Sequence, residues 1–215
     1  MKKIVFYLLA MSCLSVSAQI GIKGGLNFAN VTKASSINNS SRTGFHAGIL
    51  LAPPSKGIFG FRTELAYSRQ GYDYKSGSNT GNVNLDYIMS SNLTCINITK
   101  YFQIQFGAQL AYLLNAKVDS SASTGNAQVD KIMNFYNRFD YGFAGGVEVH
   151  PVGGLLLGAR VNISFAKLYK DAQSGQLPSF SSIDVKNNVF QVFAGWRFGK
   201  QPDSKKKQKK ETPQP

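Results

Sequence analysis

The sequence is poor in charge and poorer still in the residues that catalysts use. Charged side chains make up 16% of its 215 residues, well below the quarter usual for soluble domains. There are two histidines, His46 and His150, and two cysteines, Cys13 and Cys95. That supply does not suit a metal centre of ordinary ligand count. After Ala18 no run approaches the roughly 18 continuous apolar residues of a membrane helix, so any membrane crossing must use strands. Gly142, Gly145 and Gly146 match a nucleotide loop only loosely, and glycines making room within a strand explain them better. No cofactor, no metal site and no catalytic residue is expected, and the chain is read as not an enzyme.

What the sequence does have is strict alternation. From Phe102 to Ala116, one parity holds Phe102, Ile104, Phe106, Ala108, Leu110, Tyr112 and Leu114, and the other holds Gln103, Gln105, Gly107, Gln109, Ala111 and Asn115. Period two marks a strand with one greasy face and one polar or small face. Leu113 is the exception on the polar face. The alternation outlasts the five or six residues of a typical soluble strand and is long enough to cross a bilayer at a steep tilt.

The same pattern recurs along the chain. Strand one covers Ile20 to Phe28, strand two Gly44 to Ala52, and strand three begins at Phe59 with Phe61, Thr63, Leu65 and Tyr67 on one face. Strand four starts at Val83, placing Leu85, Tyr87 and Met89 opposite Asn84, Asp86 and Ser90, and a parity conflict between Ser90 and Ile98 suggests a bulge. Strand five is Phe102 to Ala116, strand six Phe139 to His150, strand seven Leu155 to Phe165, and strand eight Phe190 to Phe198. Long polar connections follow strands one, three, five and seven: Thr32 to Arg42, Gly71 to Asn82, Lys117 to Asn137 and Ala166 to Asn187. The third of these carries an apolar piece, Ile132 to Tyr136, with the look of a helical turn. Short connections follow strands two, four and six, two of them marked by proline and glycine, Pro53-Pro54-Ser55-Lys56-Gly57 and Pro151-Val152-Gly153-Gly154. This alternation of loop lengths predicts an all-β fold, an eight-stranded antiparallel up-and-down transmembrane β-barrel with short periplasmic turns and long external loops.

The termini complete that organisation. Lys2 and Lys3, an apolar run from Ile4 to Leu14 and the small residues Val16-Ser17-Ala18 read as an export signal cut before Gln19. The competing reading is a lipoprotein signal using Cys13, for which Ala10-Met11-Ser12 is a poor match. Removing 1–18 takes Cys13 away, so Cys95 is left without a disulfide partner and reads as a small apolar strand residue. The predicted domains are a signal peptide at 1–18, a barrel at 19–199 and a basic tail at 200–215. The tail, with Lys205, Lys206, Lys207, Lys209 and Lys210 in a chain of net charge +13, has too little apolar content to fold. On the periplasmic side it meets lipid headgroups, peptidoglycan or an acidic partner, or stays solvated, and no nucleic-acid partner is expected there.

Which face meets lipid follows from what the other face carries. The polar face is crowded with Gly, Ala, Ser, Asn and Gln, which suit the cramped inside of an eight-stranded barrel. The apolar face turns aromatic near the strand ends, at Phe28, Phe45, Phe59, Tyr67, Phe102, Phe165, Trp196 and Phe198, as girdles at the two interfaces require. Lys23, Arg62, Glu64, Asp86, Asp140, Glu148, Arg160 and Arg197 fall on the inward face. They read either as ion pairs filling a narrow lumen or as a proton path or selectivity filter, and pairing is favoured because an isolated buried charge is very costly.

Several stretches resemble the PorT-like outer-membrane β-barrel family of Bacteroidetes-type bacteria. They are Gly21-Ile22-Lys23-Gly24-Gly25-Leu26-Asn27-Phe28-Ala29, Gly44-Phe45-His46-Ala47-Gly48, Glu64-Leu65-Ala66-Tyr67-Ser68-Arg69-Gln70-Gly71, Leu85-Asp86-Tyr87-Ile88 and Trp196-Arg197-Phe198-Gly199-Lys200. The resemblance spans Gln19 to Lys200. It departs at Met89-Ser90-Ser91-Asn92-Leu93-Thr94, where the family usually has Glu-Ile-Pro and a leucine-rich run. The family takes its name from a member needed for type IX secretion, so the resemblance implies an outer-membrane address and envelope or secretion-machinery proteins as partners, beside the lipid itself. Three functional readings are carried forward. A scaffold or interaction protein comes first and a narrow pore for small solutes second. A rim hydrolase or acyltransferase is the weakest, since neither histidine falls in a long external loop.

Overall fold

A computed structural model describes residues 19–32, 38–53, 55, 57–76, 79–120, 136–170 and 185–199. The expected signal at 1–18, the tail at 200–215 and most of the helical turn expected before Tyr136 lie outside the described residues. Eight strands are present: β1 (Gln19–Thr32), β2 (Asn38–Ala52), β3 (Phe59–Ser76), β4 (Asn79–Asn97), β5 (Phe102–Ser120), β6 (Phe139–Val149), β7 (Leu155–Ser164) and β8 (Lys186–Arg197). Each pairs antiparallel with its sequence neighbour, and β1 pairs with β8, which closes the ring. Both ends of the barrel sequence meet at one rim, where the Phe198 amide donates to the Ile20 carbonyl at 2.7 Å.

The short turns share that rim. Thr99 Oγ1 accepts from the amides of Tyr101 and Phe102 and folds the β4–β5 turn back on itself. In the β6–β7 turn Gly154 adopts φ +91°, a conformation that side chains with a Cβ disfavour.

The alternation is inside out relative to a soluble barrel through most of the wall. Ile22, Phe61, Leu65, Leu110, Phe143, Val161 and Trp196 are exposed on the outside. Lys23, Arg62, Glu64, Gln105, Glu148, Arg160 and Gln191 are buried in the lumen. Towards the rim with the long connections, β3 and β4 reverse this without changing parity. On β3 the inward positions pass from Arg62, Glu64, Ser68 and Gln70 to Tyr72 and Tyr74, while the outward ones pass from Phe61, Leu65 and Tyr67 to Arg69, Asp73 and Lys75. That is the pattern of a barrel standing in water.

This reversal corrects three expectations. Val83, Leu85, Tyr87 and Met89, expected on the lipid face, are buried in the lumen and leave the outward positions of β4 to Asn84, Asp86, Ile88 and Ser90. Asp86, expected in the lumen, shares the outer face with its ladder partner Arg69, whose Nε lies 2.7 Å from Asp86 Oδ1. The stretches Gly71 to Asn82 and Thr32 to Arg42, expected as loops, are largely strand: the β3–β4 ladder continues to Ser76 opposite Asn79, and β2 begins at Asn38. Tyrosines inward and polar residues outward read as loop composition, but they keep period two.

The expected bulge within Ser90 to Ile98 is not there. Both ladders of β4 run without a shift from Ser90 to Ile96, and the parity conflict arises because Leu93 and Cys95 fill the lumen while Ile98 is exposed. The irregularities fall between Ser41 and His46 on β2, and opposite Asp86 and Tyr87 on β5. At the second, Asp86 pairs with Asn115 and Tyr87 with Leu113, so Leu114 is the extra residue. Leu113, the apolar exception on a polar face, therefore points inward and is fully buried.

Candidate functional site

The lumen is the place where chemistry or passage would occur, and it is filled in three layers. Nearest the short turns is an ionic layer. Glu64 on β3 accepts from Lys23 Nζ of β1 at 2.7 Å and from the Arg160 guanidinium of β7 at 2.7 and 3.0 Å. Arg160 also donates to Gln105 Oε1 at 2.7 Å. Beside it, Arg62 holds Glu148 of β6 through two bonds of 2.6 and 2.8 Å, and Glu148 meets His150 Nε2 at 2.7 Å. Arg197 Nη2 stands 3.4 Å from the same His150 nitrogen. Phe193 lies against the layer, with Lys23 Nζ 4.0 Å from its ring centre, a cation over an aromatic face.

β3 and β7 stand opposite each other in a ring of eight. The fork from Arg160 to both oxygens of Glu64 therefore spans the full width of the barrel. Small residues make this approach feasible: a Cβ on Gly146 would lie 2.2 Å from the Ala159 carbonyl and 2.7 Å from the Arg160 Cα, so β6 packs directly on the strand that carries the arginine. Gly146 sits within β6 and not in a phosphate-binding loop, which agrees with the strand reading of that glycine cluster.

The second layer is built from amides. Asn27 Nδ2 donates to Ser68 Oγ at 2.9 Å and to the Arg69 carbonyl at 2.7 Å, while its Oδ1 faces His46 Nδ1 at 2.8 Å and Gln191 Nε2 at 2.9 Å. Gln70 continues the chain to Ser68 at 2.9 Å and to Asn187 at 2.5 Å. Between this layer and the ionic one lies a cavity of about 10 Å³, lined by Lys23, His46, Glu64, Ser68, Met89 and Arg160 among others. That is room for about one water. His46 Nε2 is buried without a partner among the described residues.

The third layer is apolar and aromatic. Val31, Tyr72, Val83, Leu85, Tyr87, Met89 and Leu113 form one buried cluster with Tyr136, Leu168, Tyr169 and Val185 from the connecting segments. Tyr136 and Tyr169 form an isolated β-bridge with ring centres 5.0 Å apart, and the Tyr169 hydroxyl bonds the Tyr72 hydroxyl. Burial pushes both the Tyr136 and Tyr169 phenols up from their ordinary values, so both stay neutral donors. Asn137 Nδ2 clamps the same segment to the carbonyls of Lys167 and Tyr169. Strand periodicity does not announce this lid, because Tyr136, Leu168 and Tyr169 lie in stretches that lack it.

The individually named residues fall into place around these layers. His46 and His150 belong to different layers, each tied to lumen side chains. Among the described residues no group of three or more His, Cys, Asp or Glu could hold a metal ion. Cys95 is free and buried beside Leu93 and Ala144. Asp140 points inward and accepts from Ser164 Oγ at 2.6 Å.

A closed ring of eight antiparallel strands, apolar outside and polar within, belongs in a bilayer. The profile of the outer membrane protein beta-barrel domain family matches residues 15–170. The chain belongs to that family. This barrel is an outer-membrane protein, and its fold is also that of Neisserial surface protein A (NspA), which is 15% identical with a TM-score of 0.54 over 83% of this chain and 97% of that one. Ail, the attachment invasion locus protein of Yersinia pestis, is 18% identical with a TM-score of 0.48 over 84% of this barrel's chain and 99% of its own. No curated protein matches the barrel in sequence.

Proposed function

We propose that this family member is a closed, PorT-like scaffold of the outer membrane, which acts by contact with other envelope proteins, those of protein secretion among them. In this reading residues 1–18 direct export and are removed, the long connections face outward, and the basic tail from 200 to 215 faces the periplasm. The observation that carries it is the Glu64–Arg160 fork across the full width of the lumen. Ions paired this way are held by several kcal/mol against separation, and the cavity beside them has room for about one water.

The test is conductance of the folded full chain in a planar bilayer. A silent membrane is the expected result, with Glu64→Ala giving at most rare, brief openings. Regular stepwise conductance from the native protein would overturn the closed reading in favour of a narrow pore for small solutes. The hydrolase or acyltransferase reading has less support, because His46 and His150 are both engaged by neighbours inside the barrel. Chemical cross-linking in intact cells then identifies the contacts, and recovery of the barrel without any other envelope protein would count against a scaffold role.

A further inference from the structure

The outer wall has one anomaly. Between its aromatic girdles the outward residues of β1, β2, β5, β6, β7 and β8 are aliphatic, aromatic or glycine, as with Ile22, Leu26, Ile49, Phe106, Phe143, Val161 and Val192. On β4 they are Ser90, Asn92 and Thr94, and next to them on β3 stands Thr63. The ladder fixes their depth. Phe59 pairs with Ile96 at one edge of the band, Tyr67 pairs with Ile88 at the other, and Thr63 pairs with Asn92 halfway between. Across the next ladder Asn92 faces Ala108, the smallest outward residue of β5. The four polar side chains therefore sit at mid-bilayer, flanked by Phe61, Leu65, Phe106 and Leu110, all exposed.

Asn92 and Thr63 are both exposed, and the Thr63 hydroxyl donates to Asn92 Oδ1 at 3.0 Å. The Asn92 amide nitrogen has no partner among the described residues, so two donors point into hydrocarbon. Lipid offers them nothing, and a polar group left unsatisfied there is costly. A second protein surface satisfies them. An amide is both donor and acceptor, so two Asn92 side chains facing each other across a two-fold axis complete one another, and a closed two-fold interface uses the same patch on both partners. The small residues Ser90 and Ala108 allow the walls to approach closely, as small residues do between membrane-embedded elements.

We propose that the β3–β5 wall centred on Asn92 is an in-membrane contact face for a second copy of this chain. The contact pairs the Asn92 side chains, with Thr63 and Ser90 beside them. It is independent of the loops and of the lumen, and a dimer built this way leaves both rims open to other partners.

The test places a cysteine at position 108, the ladder partner of Asn92, in the full chain, in a Cys95→Ser background, folded in phosphatidylcholine vesicles at low protein density and oxidised. Ala108→Cys, which leaves the Asn92 amide in place beside it, is expected to give a product of twice the mass, while Val161→Cys on the far wall stays monomeric. A second variant needs no oxidation. Asn92→Leu should keep the native heat-sensitive gel mobility, yet weaken association measured by energy transfer between labelled copies about tenfold, as loss of two membrane hydrogen bonds implies. Equal cross-linking at 108 and 161, a monomeric native protein, or unchanged association of Asn92→Leu would each overturn the proposal. So would cross-linking of position 108 in cells to a different protein while the purified chain stays single.

Discussion

Glu64 is the residue on which the lumen turns. Its two oxygens serve Lys23, Arg160 and, at 3.6 Å, Arg62, and it is 3% exposed. Removing the carboxylate leaves Lys23 and Arg160 without their shared counter-ion and Arg62 with Glu148 alone. Glu64→Ala is therefore expected to cost about 3–5 kcal/mol of unfolding free energy, the range for breaking a buried pair. Asp86→Ala, which removes the partner of the outward and partly exposed Arg69, should cost under about 1 kcal/mol. Urea unfolding in lipid, followed by the fluorescence of the single tryptophan Trp196, separates the two cases. Equal losses would mean that the lumen charges are solvated and that the ionic layer does not seal the barrel.

Along a strand the decisive feature is the reversal of facing chemistry on β3 and β4. Inside the bilayer lipid rewards apolar residues outside, and above it water rewards them inside, so one parity changes character where the strand leaves the membrane. Labelling of folded protein with a membrane-impermeant maleimide tests this residue by residue: Lys75→Cys should react quickly and Tyr74→Cys should not, while buried Cys95 stays silent. Reaction at both positions would mean that the raised hairpin is not part of the barrel wall. The same reversal explains how far the sequence could be read. β1, β5, β6, β7 and β8, and β3 as far as Tyr67, keep one sign of alternation through the membrane, so their facing and the lumen charges Lys23, Arg62, Glu64, Glu148 and Arg160 were legible. Val83 to Met89 were not, because apolar period two looks the same whether it faces lipid or a packed lumen. The opposition of Glu64 and Arg160 depends on ring closure, and nothing local in either strand encodes it.

At the scale of the whole molecule the ring is a single cooperative unit. A sheet with a free edge cannot sit in hydrocarbon, because its edge amides and carbonyls would go unpaired. The β1–β8 ladder, from Gly21 opposite Arg197 to Thr32 opposite Lys186, removes the last such edge. Unheated samples in a gel should consequently run as one compact band that converts to a slower band in a single step on boiling. Several intermediate bands would indicate that parts of the barrel melt separately.

The fork between Glu64 and Arg160 also constrains the order of events during biogenesis. Its two halves are 96 positions apart in the chain and on opposite strands of the finished ring. Until β7 has arrived, Glu64 has only Lys23 and Arg62 to meet it, and the charges of the layer are incompletely paired. A half-built sheet would thus drag a charge into lipid, so insertion and closure are bound into one timed act. The salt bridge that spans the mature lumen serves, during assembly, as the clasp that cannot fasten until the last strands are in place.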